Sequence, residues 1–245
     1  MNQPTDLHTL ARQYETADFL IGDPSWFMHQ VTGAANQEAM AFIAAALSYG
    51  SRTQFMPKIQ SILDKSCGDV DQWVRNRLFC TVFSADDCRS FYRLYSHQAM
   101  HVFLSSYSCL LNEYGTLGEF IRKNASDGFS ALEVITHYFN DHGSGGIIPK
   151  DTTSACKRLC MFLRWMVRTD SPVDLGLWAD FIDRRTLLMP LDTHVLQQAQ
   201  RLGLIKSSTA SMSACRRLTA RLAQIFPDDP LRADFALFGY GVNNK

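Results

Sequence analysis

The chain has 245 residues, 46% hydrophobic and 20% charged, so it is long enough to bury a core and too apolar for a disordered protein. Lys and Arg together number 24, as do Asp and Glu. No uncharged apolar run reaches about 18 residues, which argues against a membrane-spanning helix.

The N-terminus has no basic-then-apolar pattern of a secretory signal. The seven cysteines are scattered, with no CxxC pair. Cys156 and Cys160 lie one helical turn apart, but no second pair completes a metal site, so we expect them to pack in the core. These features predict a cytoplasmic protein with reduced thiols, no metal and no cofactor.

The charges are unevenly distributed along the chain. Residues 1–149 carry 10 Lys and Arg against 15 Asp and Glu, and residues 150–245 carry 14 against 9. A basic C-terminal part suits a polyanionic partner such as nucleic acid. A bias of this size is common, however, and does not by itself identify a DNA-binding protein.

Almost every segment with a regular hydrophobic period has the period of a helix, and no convincing alternating strand appears. A short helix is opened by Asp23 and Pro24, and "VDLGLW" at 173–178 is a further short segment. The other predicted helices are 7–18, 37–49 capped by Asn36, 54–67, 70–75, 86–95, 98–114, 117–123, 131–140, 154–168, 193–202, 213–225 and 230–240. We therefore predict one globular all-α domain, 1–245, with an acidic helical part at about 1–128 and a basic part at about 129–245.

Two polar residues stand at predicted helix starts after the glycine-containing loop "NDHGSGGIIPKDTTS". Lys157 lies in the first turn of the helix that follows this loop, where the helix dipole favours anions rather than ammonium groups. Asp192, in "MPLDTHV", immediately precedes the next long helix. Taken alone, Lys157 is a surface lysine, Asp192 a helix cap and His194 a packed or surface histidine.

The stretch "PLDTHV…RLGL" resembles the V-D-T-H-V stretch of the helix-hairpin-helix DNA glycosylases, the endonuclease III superfamily. The resemblance implies that fold, with two packed helical lobes. It also implies that Asp192 is catalytic while capping its helix, and that Lys157 is the nucleophile by its position after the hairpin loop. The gap between these two residues, and the ending "PLRADFALFGYG", are similar to the archaeal 8-oxoguanine glycosylase branch.

Over its full length the chain resembles an uncharacterised bacterial family, a domain of unknown function. The resemblance lies in "DPSWF", "AALSYGSR", "KRLCMFLRWMVR", "VDLGLW", "PLDTHV" and "DPLRADFALFGYGV". It departs from the glycosylases at two places. The hairpin loop has the glycines without the usual L-P-G-V-G spacing, and "LSYGSR" lacks the glutamine of the usual L-S-A-Q. No four-cysteine cluster follows Asp234, which excludes an iron–sulfur cluster.

The resemblance implies a DNA repair glycosylase and abasic-site lyase that acts, as a monomer, on a damaged base flipped out of double-stranded DNA. Lys157 would attack the sugar and Asp192 would stabilise the developing positive charge. Trp165 and Trp178 are candidates for stacking on a base, and Asp234 for facing it. The candidate DNA or substrate contacts are Arg52, Gly145, Gly146, Arg158, Arg164, Trp165, Arg168, His194, Arg216, Arg217 and Asp234.

Two alternatives stay open. The chain could be a non-catalytic nucleic-acid-binding protein of the same fold, or a helical protein of other function that binds no DNA.

Overall fold

A computed structural model describes residues 6–143 and 146–243 of the chain. Within these ranges the secondary structure is almost entirely helical, which confirms the all-α class. The α-helices are α1 (Leu7–Tyr14), α2 (Ala34–Leu47), α3 (Arg52–Lys65), α4 (Val70–Arg75), α5 (His97–Tyr114), α6 (Leu117–Asn124), α7 (Gly128–Asp141), α8 (Lys157–Val167), α9 (Thr193–Arg201), α10 (Met212–Ala223) and α11 (Ala233–Asn243). Short 3₁₀ turns and one two-stranded hairpin complete the described elements.

The contacts divide the described chain into two compact units. The terminal unit contains residues 6–21, 127–129 and 152–243, and the middle unit contains residues 22–126, 130–143 and 146–151. No described helix has both the length and the apolar character that crossing a bilayer requires. That the whole of 1–245 behaves as one domain stays a prediction.

The middle unit is built around α2, whose residues 38–47 are all buried. Alanines make up half of that stretch, so α3 and α4 can pack closely against it. Glu38 is also buried in α2, and its carboxylate accepts hydrogen bonds from the Leu117 and Gly118 backbone N–H groups at 2.7 and 3.0 Å. A buried charge is tolerated here because it satisfies two donors at the start of α6.

Asn36 does not cap α2 as we predicted from the sequence. Helix α2 begins at Ala34, after Gly33, so Asn36 lies inside its first turn. Its amide instead donates to the Gly68 carbonyl at 2.6 Å, and its carbonyl accepts from the Val70 N–H at 2.7 Å. Asn36 therefore connects α2 to the start of α4 rather than closing its own helix.

The helix predicted over 86–95 is also wrong. Residues 90–92 and 95–96 form an antiparallel hairpin, β1 (Ser90–Tyr92) and β2 (Tyr95–Ser96). The Asp87 carboxylate accepts the Arg89 backbone N–H at 3.0 Å, a local bond that competes with helix formation. At the turn, Arg93 has a positive φ of 50°, a conformation typical of two-residue hairpin turns and incompatible with a helix.

In the terminal unit, α11 packs against both α1 and α9. At Gly239 of α11, any Cβ would overlap the Tyr14 ring of α1. Tyr14 also donates a hydrogen bond to the Asn243 side chain at 2.6 Å. Glycine at position 239 thus sets the distance between these two helices.

The seven cysteines divide cleanly between the units. Four in the middle unit are exposed, and three in the terminal unit are buried. Among the buried ones, Cys215 donates from its thiol to the Met189 carbonyl at 3.1 Å. The cysteines are Cys67, Cys80, Cys88 and Cys109 in the middle unit and Cys156, Cys160 and Cys215 in the terminal unit.

Candidate functional site

The two residues singled out by the sequence, Lys157 and Asp192, meet in the terminal unit. Lys157 is the first residue of α8, and Asp192 is the N-cap of α9. The Lys157 Nζ lies 3.0 Å from Asp192 Oδ2. Their side chains are 38% and 31% exposed, so the ion pair is accessible from solvent.

Asp192 acts as helix cap and ion-pair partner at once because its two oxygens face different groups. Oδ1 accepts the Val195 backbone N–H at 2.9 Å, while Oδ2 faces Lys157. Burial alone would raise the pKa of Asp192, but the Lys157 charge and the Val195 hydrogen bond outweigh it and hold the pKa below the usual aspartate value. The carboxylate therefore stays ionised at neutral pH.

The backbone immediately before Lys157 is in an uncommon conformation. Cys156 has φ of 47° and ψ of 35°, in the left-handed region that non-glycine residues rarely adopt. The adjoining segment is held by a backbone hydrogen bond from Met212 to Thr153 at 3.2 Å and by a bridge between Ser154 and Ser211. Strained backbone held in this way is frequent at functional sites.

Two buried arginines follow Lys157 along the chain, Arg164 in α8 and Arg168 at the C-cap of α8. The Arg164 Nε lies 3.2 Å from Asp174, and its guanidinium also pairs with Asp234. The Arg168 guanidinium pairs with Asp174, Glu15 and Asp229. These arginine side chains are only 2% and 1% exposed.

Arg164 and Arg168 are therefore not positioned to bind DNA phosphates, contrary to the expectation from the sequence. Their guanidinium groups are already paired with buried carboxylates, and a phosphate could reach them only by breaking those pairs. Trp165 and Trp178 are buried as well, at 0% and 2% exposed, so neither presents a ring for stacking on a base.

The remaining candidates are distributed over both units. In the terminal unit, His194, Arg216 and Arg217 are exposed and Arg158 is half-buried; the Arg216 guanidinium lies 3.7 Å from the centre of the Phe129 ring. In the middle unit, Arg52 is 53% exposed and pairs with Asp23 at 3.3 Å, and Gly146 is exposed with φ of 93°. Gly145 lies outside the described residues. The role of these residues in binding DNA stays a prediction.

Asp234, in the first turn of α11, pairs with the Arg164 guanidinium. Its side chain is 16% exposed. Burial is the main reason that the pKa of Asp234 lies above the usual aspartate value; Arg164 opposes this shift and Asp192 adds to it. The pKa values of Asp192 and Asp234 are thus displaced in opposite directions.

The acidic partners Glu15, Asp174 and Asp229 were not predicted from the sequence. A signal for them exists in the spacing of α8, because residues 157, 164 and 168 fall on one face of a helix with 3.6 residues per turn. Three cations on one face of an otherwise apolar helix require anionic partners if that face is buried. Asp174, in the "VDLGLW" segment, is the fully buried one of these partners.

A cleft of about 410 Å³ lies beside Arg168, at the opposite end of these ion pairs from Lys157. Its lining includes Arg168, Arg232 and Glu15 together with Asp228 and Asp229. Lys157 and Asp192 do not line it. Among the described residues, no group of three or more His, Cys, Asp or Glu side chains is arranged to hold a metal ion.

Comparison with known proteins identifies a family but no characterised relative. No curated protein and no solved structure matches the chain. One family matches it over nearly its whole length, residues 23–243, which agrees with the resemblance to an uncharacterised family and does not extend to the DNA glycosylases. The chain belongs to the family described as "Protein of unknown function (DUF2400)".

Proposed function

We propose that this protein is a DNA glycosylase with abasic-site lyase activity, acting on a damaged base that is flipped out of duplex DNA. The observation that supports the proposal is the solvent-accessible Lys157–Asp192 pair, with 3.0 Å between Nζ and Oδ2. The resemblance of "PLDTHV" to the glycosylase motif adds to this support, as does the strained backbone before Lys157.

In the proposed reaction, the neutral Lys157 amine forms a bond to the sugar C1′ while the bond from C1′ to the base nitrogen breaks. The electron pair of that bond leaves with the base, which is then protonated. The attacking nitrogen gives one proton to the departing base and the other to O4′ as the C1′–O4′ bond breaks, which leaves a Schiff base. Loss of a C2′ proton to water then expels the 3′ phosphate and cuts the strand. The ionised Asp192 is suited to stabilise the positive charge on the sugar during the first step.

We propose duplex DNA as the partner and the cytoplasm as the location. Arg52, Arg216 and Arg217 are exposed cations that could contact phosphates. The glycine loop around Gly146, before α8, is a candidate for a phosphate contact through its backbone. No step of the proposed reaction requires a metal or cofactor.

Borohydride trapping tests this proposal directly. The protein would be incubated with duplexes carrying 8-oxoguanine, uracil, thymine glycol or an abasic site, and the Schiff base reduced to a stable adduct. We expect an adduct that disappears in Lys157→Ala and is strongly reduced in Asp192→Asn. Lys206→Ala, which changes an exposed lysine of the same unit, is the matched control and should trap as the wild type does.

The alternatives predict different results. Salt-dependent DNA binding without any adduct, and without an effect of Asp192→Asn, would identify a non-catalytic nucleic-acid-binding protein. No adduct, no base release and no salt-dependent binding on any duplex would reject a role in DNA repair.

A further inference from the structure

One segment of the terminal unit carries positive charge and no negative charge. Residues 193–227 contain five Lys and Arg and no Asp or Glu, although Asp and Glu number 24 in the whole chain. All five cations are exposed, and within the described part of the chain none of them forms an ion pair. They are Arg201, Lys206, Arg216, Arg217 and Arg221.

Three of these cations lie on the exposed face of α10. Residues 213, 216, 217, 220, 221 and 224 are exposed, and they recur at the three- and four-residue steps that place side chains on one face of a helix. The opposite face, which includes Leu218 and Leu222, is buried. We call Arg216, Arg217 and Arg221 the arginine stripe.

Each arginine of the stripe is held by a neutral group. The Arg217 Nη1 donates to the Ser213 hydroxyl at 2.6 Å, and the Arg221 Nη1 donates to the side-chain oxygen of the glutamine three residues later. The Arg216 guanidinium lies over the Phe129 ring. These contacts restrict the side chains without compensating their charge, so less side-chain entropy is lost when an anion binds.

Other arginines of the terminal unit are neutralised locally. Arg184 and Arg185 pair with Asp170 and Asp183 at 3.6 and 2.6 Å, and both pairs are formed by residues on nearby turns of the chain. The arginine stripe has no such carboxylates within reach. Its positive charge is therefore available to a partner from outside the chain.

Helix α10 begins beside the candidate site. A backbone hydrogen bond of 3.2 Å joins Met212 to Thr153, four residues before Lys157. The Cys215 thiol donates at 3.1 Å to the carbonyl that lies three residues before Asp192. The first turn of α10 is thus bonded to the segments that lead into both residues of the candidate site, and the arginine stripe starts at the residue after Cys215.

We infer that the arginine stripe binds the phosphate backbone of duplex DNA next to the nucleotide held at the Lys157–Asp192 pair. A guanidinium binds phosphate oxygens through two parallel N–H donors. Arg217 and Arg221 are about 6 Å apart along the helix axis, so each can contact a different phosphate of one strand. The position beside a reacting nucleotide rests on the proposed function, but the backbone contacts are measurable with undamaged DNA.

Fluorescence anisotropy with a labelled, undamaged duplex at a series of KCl concentrations tests the backbone contacts. Each phosphate contact adds about 0.9 to the slope of log affinity against log salt. Replacing all three arginines of the stripe by glutamine should therefore lower the slope by about 3. Arg217→Lys keeps the charge and should leave the slope unchanged.

Arg12→Gln is the matched control. Arg12 is an exposed arginine of α1 in the same unit, and it donates to the Thr9 hydroxyl at 3.1 Å as Arg217 donates to Ser213. It lies on a different helix from the stripe. The slope for Arg12→Gln should equal that of the wild type.

Neutral phosphates test the position of the contacts. Duplexes would carry an unreactive abasic-site analogue and one methylphosphonate, placed at each flanking phosphate in turn. At a contacted phosphate, neutralisation should weaken wild-type binding by about tenfold. It should cost nothing further in Arg217→Gln or in Arg221→Gln, because the partner charge is already absent.

An unchanged slope in the triple glutamine variant would overturn the inference, as would a wild-type protein that binds phosphatidylglycerol vesicles but not duplex DNA. A methylphosphonate effect that is the same in wild type and in both single variants would overturn the position. A lowered slope without a borohydride adduct on any lesion would reject the proposed function and leave the backbone contacts standing. An adduct with an unchanged slope in the triple variant would do the opposite.

Discussion

Asp192 shows how one side chain can serve both structure and chemistry. Each oxygen has its own partner, the Val195 N–H at 2.9 Å and the Lys157 ammonium at 3.0 Å. An asparagine would keep the first contact through its carbonyl oxygen and lose the charge that the second contact needs. The two contributions can therefore be separated by substitution.

We predict that Asp192→Ala lowers the free energy of unfolding by about 1 kcal/mol, the usual cost of a lost N-cap, and that Asp192→Asn lowers it by less. The pKa of Asp192 is depressed in the folded state. Stabilisation by the ionised carboxylate is thus present above the unfolded pKa and is lost as the pH falls through the folded pKa. Urea titrations of wild type and Asp192→Asn should accordingly converge in acid; a constant difference at every pH would contradict the assignment.

At single residues, the sequence was sufficient to find the pair but not its surroundings. A short motif and a helix start predicted Lys157 and Asp192, because helix caps and first turns have local signatures. The expectation that Arg164 and Arg168 contact phosphates was wrong. The helical spacing of arginines in a sequence does not show whether their side chains are exposed or buried in ion pairs. Arg164 is buried against Asp234, and Arg168 against Glu15 and Asp229. These carboxylates are distant in sequence from the arginines.

At the level of elements, the helix–helix contacts depend on small residues placed at particular positions. Helix α11 contains two glycines, Gly239 and Gly241, whose surroundings differ. A Cβ at Gly239 would overlap the Tyr14 ring of α1, whereas the nearest atom to a Cβ at Gly241 is 3.4 Å away, at the end of the flexible Gln198 side chain. Only the first glycine is required by packing.

We predict that Gly239→Ala destabilises the protein, because the gain of about 1 kcal/mol in helix propensity is smaller than the cost of separating α1 from α11. Gly241→Ala gains the same propensity with an adjustable neighbour and should be neutral or stabilising. Thermal unfolding of the two variants beside wild type measures this difference. Equal melting temperatures for both variants would mean that α1 does not pack on α11 as described.

Most helices were predictable from hydrophobic period and capping residues, including the bounds of α4 and the start of α9. The hairpin at β1 and β2 was not, because "SFYRLYS" is short and its turn uses arginine where glycine or asparagine is usual. Asn36 was expected to cap α2, whereas its side chain bonds at the start of α4. Its side chain bonds to residues 68 and 70, and a sequence signal for a cap does not state which helix is capped.

For the whole molecule, the excess of basic residues in 150–245 does not translate directly into a cationic surface. Part of that positive charge is not on the surface, because Arg164 and Arg168 are buried and paired with carboxylates. Net charge by segment therefore overstates the cationic surface that a polyanion could use. The cations of residues 152–243 that stay exposed, and that a DNA partner would meet in the terminal unit, include Arg185, Arg201, Lys206, Arg216, Arg217 and Arg221.

Because the exposed cysteines lie in the middle unit and the buried ones in the terminal unit, thiol reactivity of the unmodified protein can measure local opening of the terminal unit. We predict that a small thiol reagent, used without denaturant, modifies the four exposed cysteines of the middle unit rapidly. Cys156, Cys160 and Cys215 should react only when the terminal unit opens, so their rate measures how often α8 and α10 separate. Rapid modification of all seven cysteines would show that the three buried thiols of the terminal unit are not protected. Slow modification of those three would give the rate at which the terminal unit opens locally, without any probe introduced by mutation.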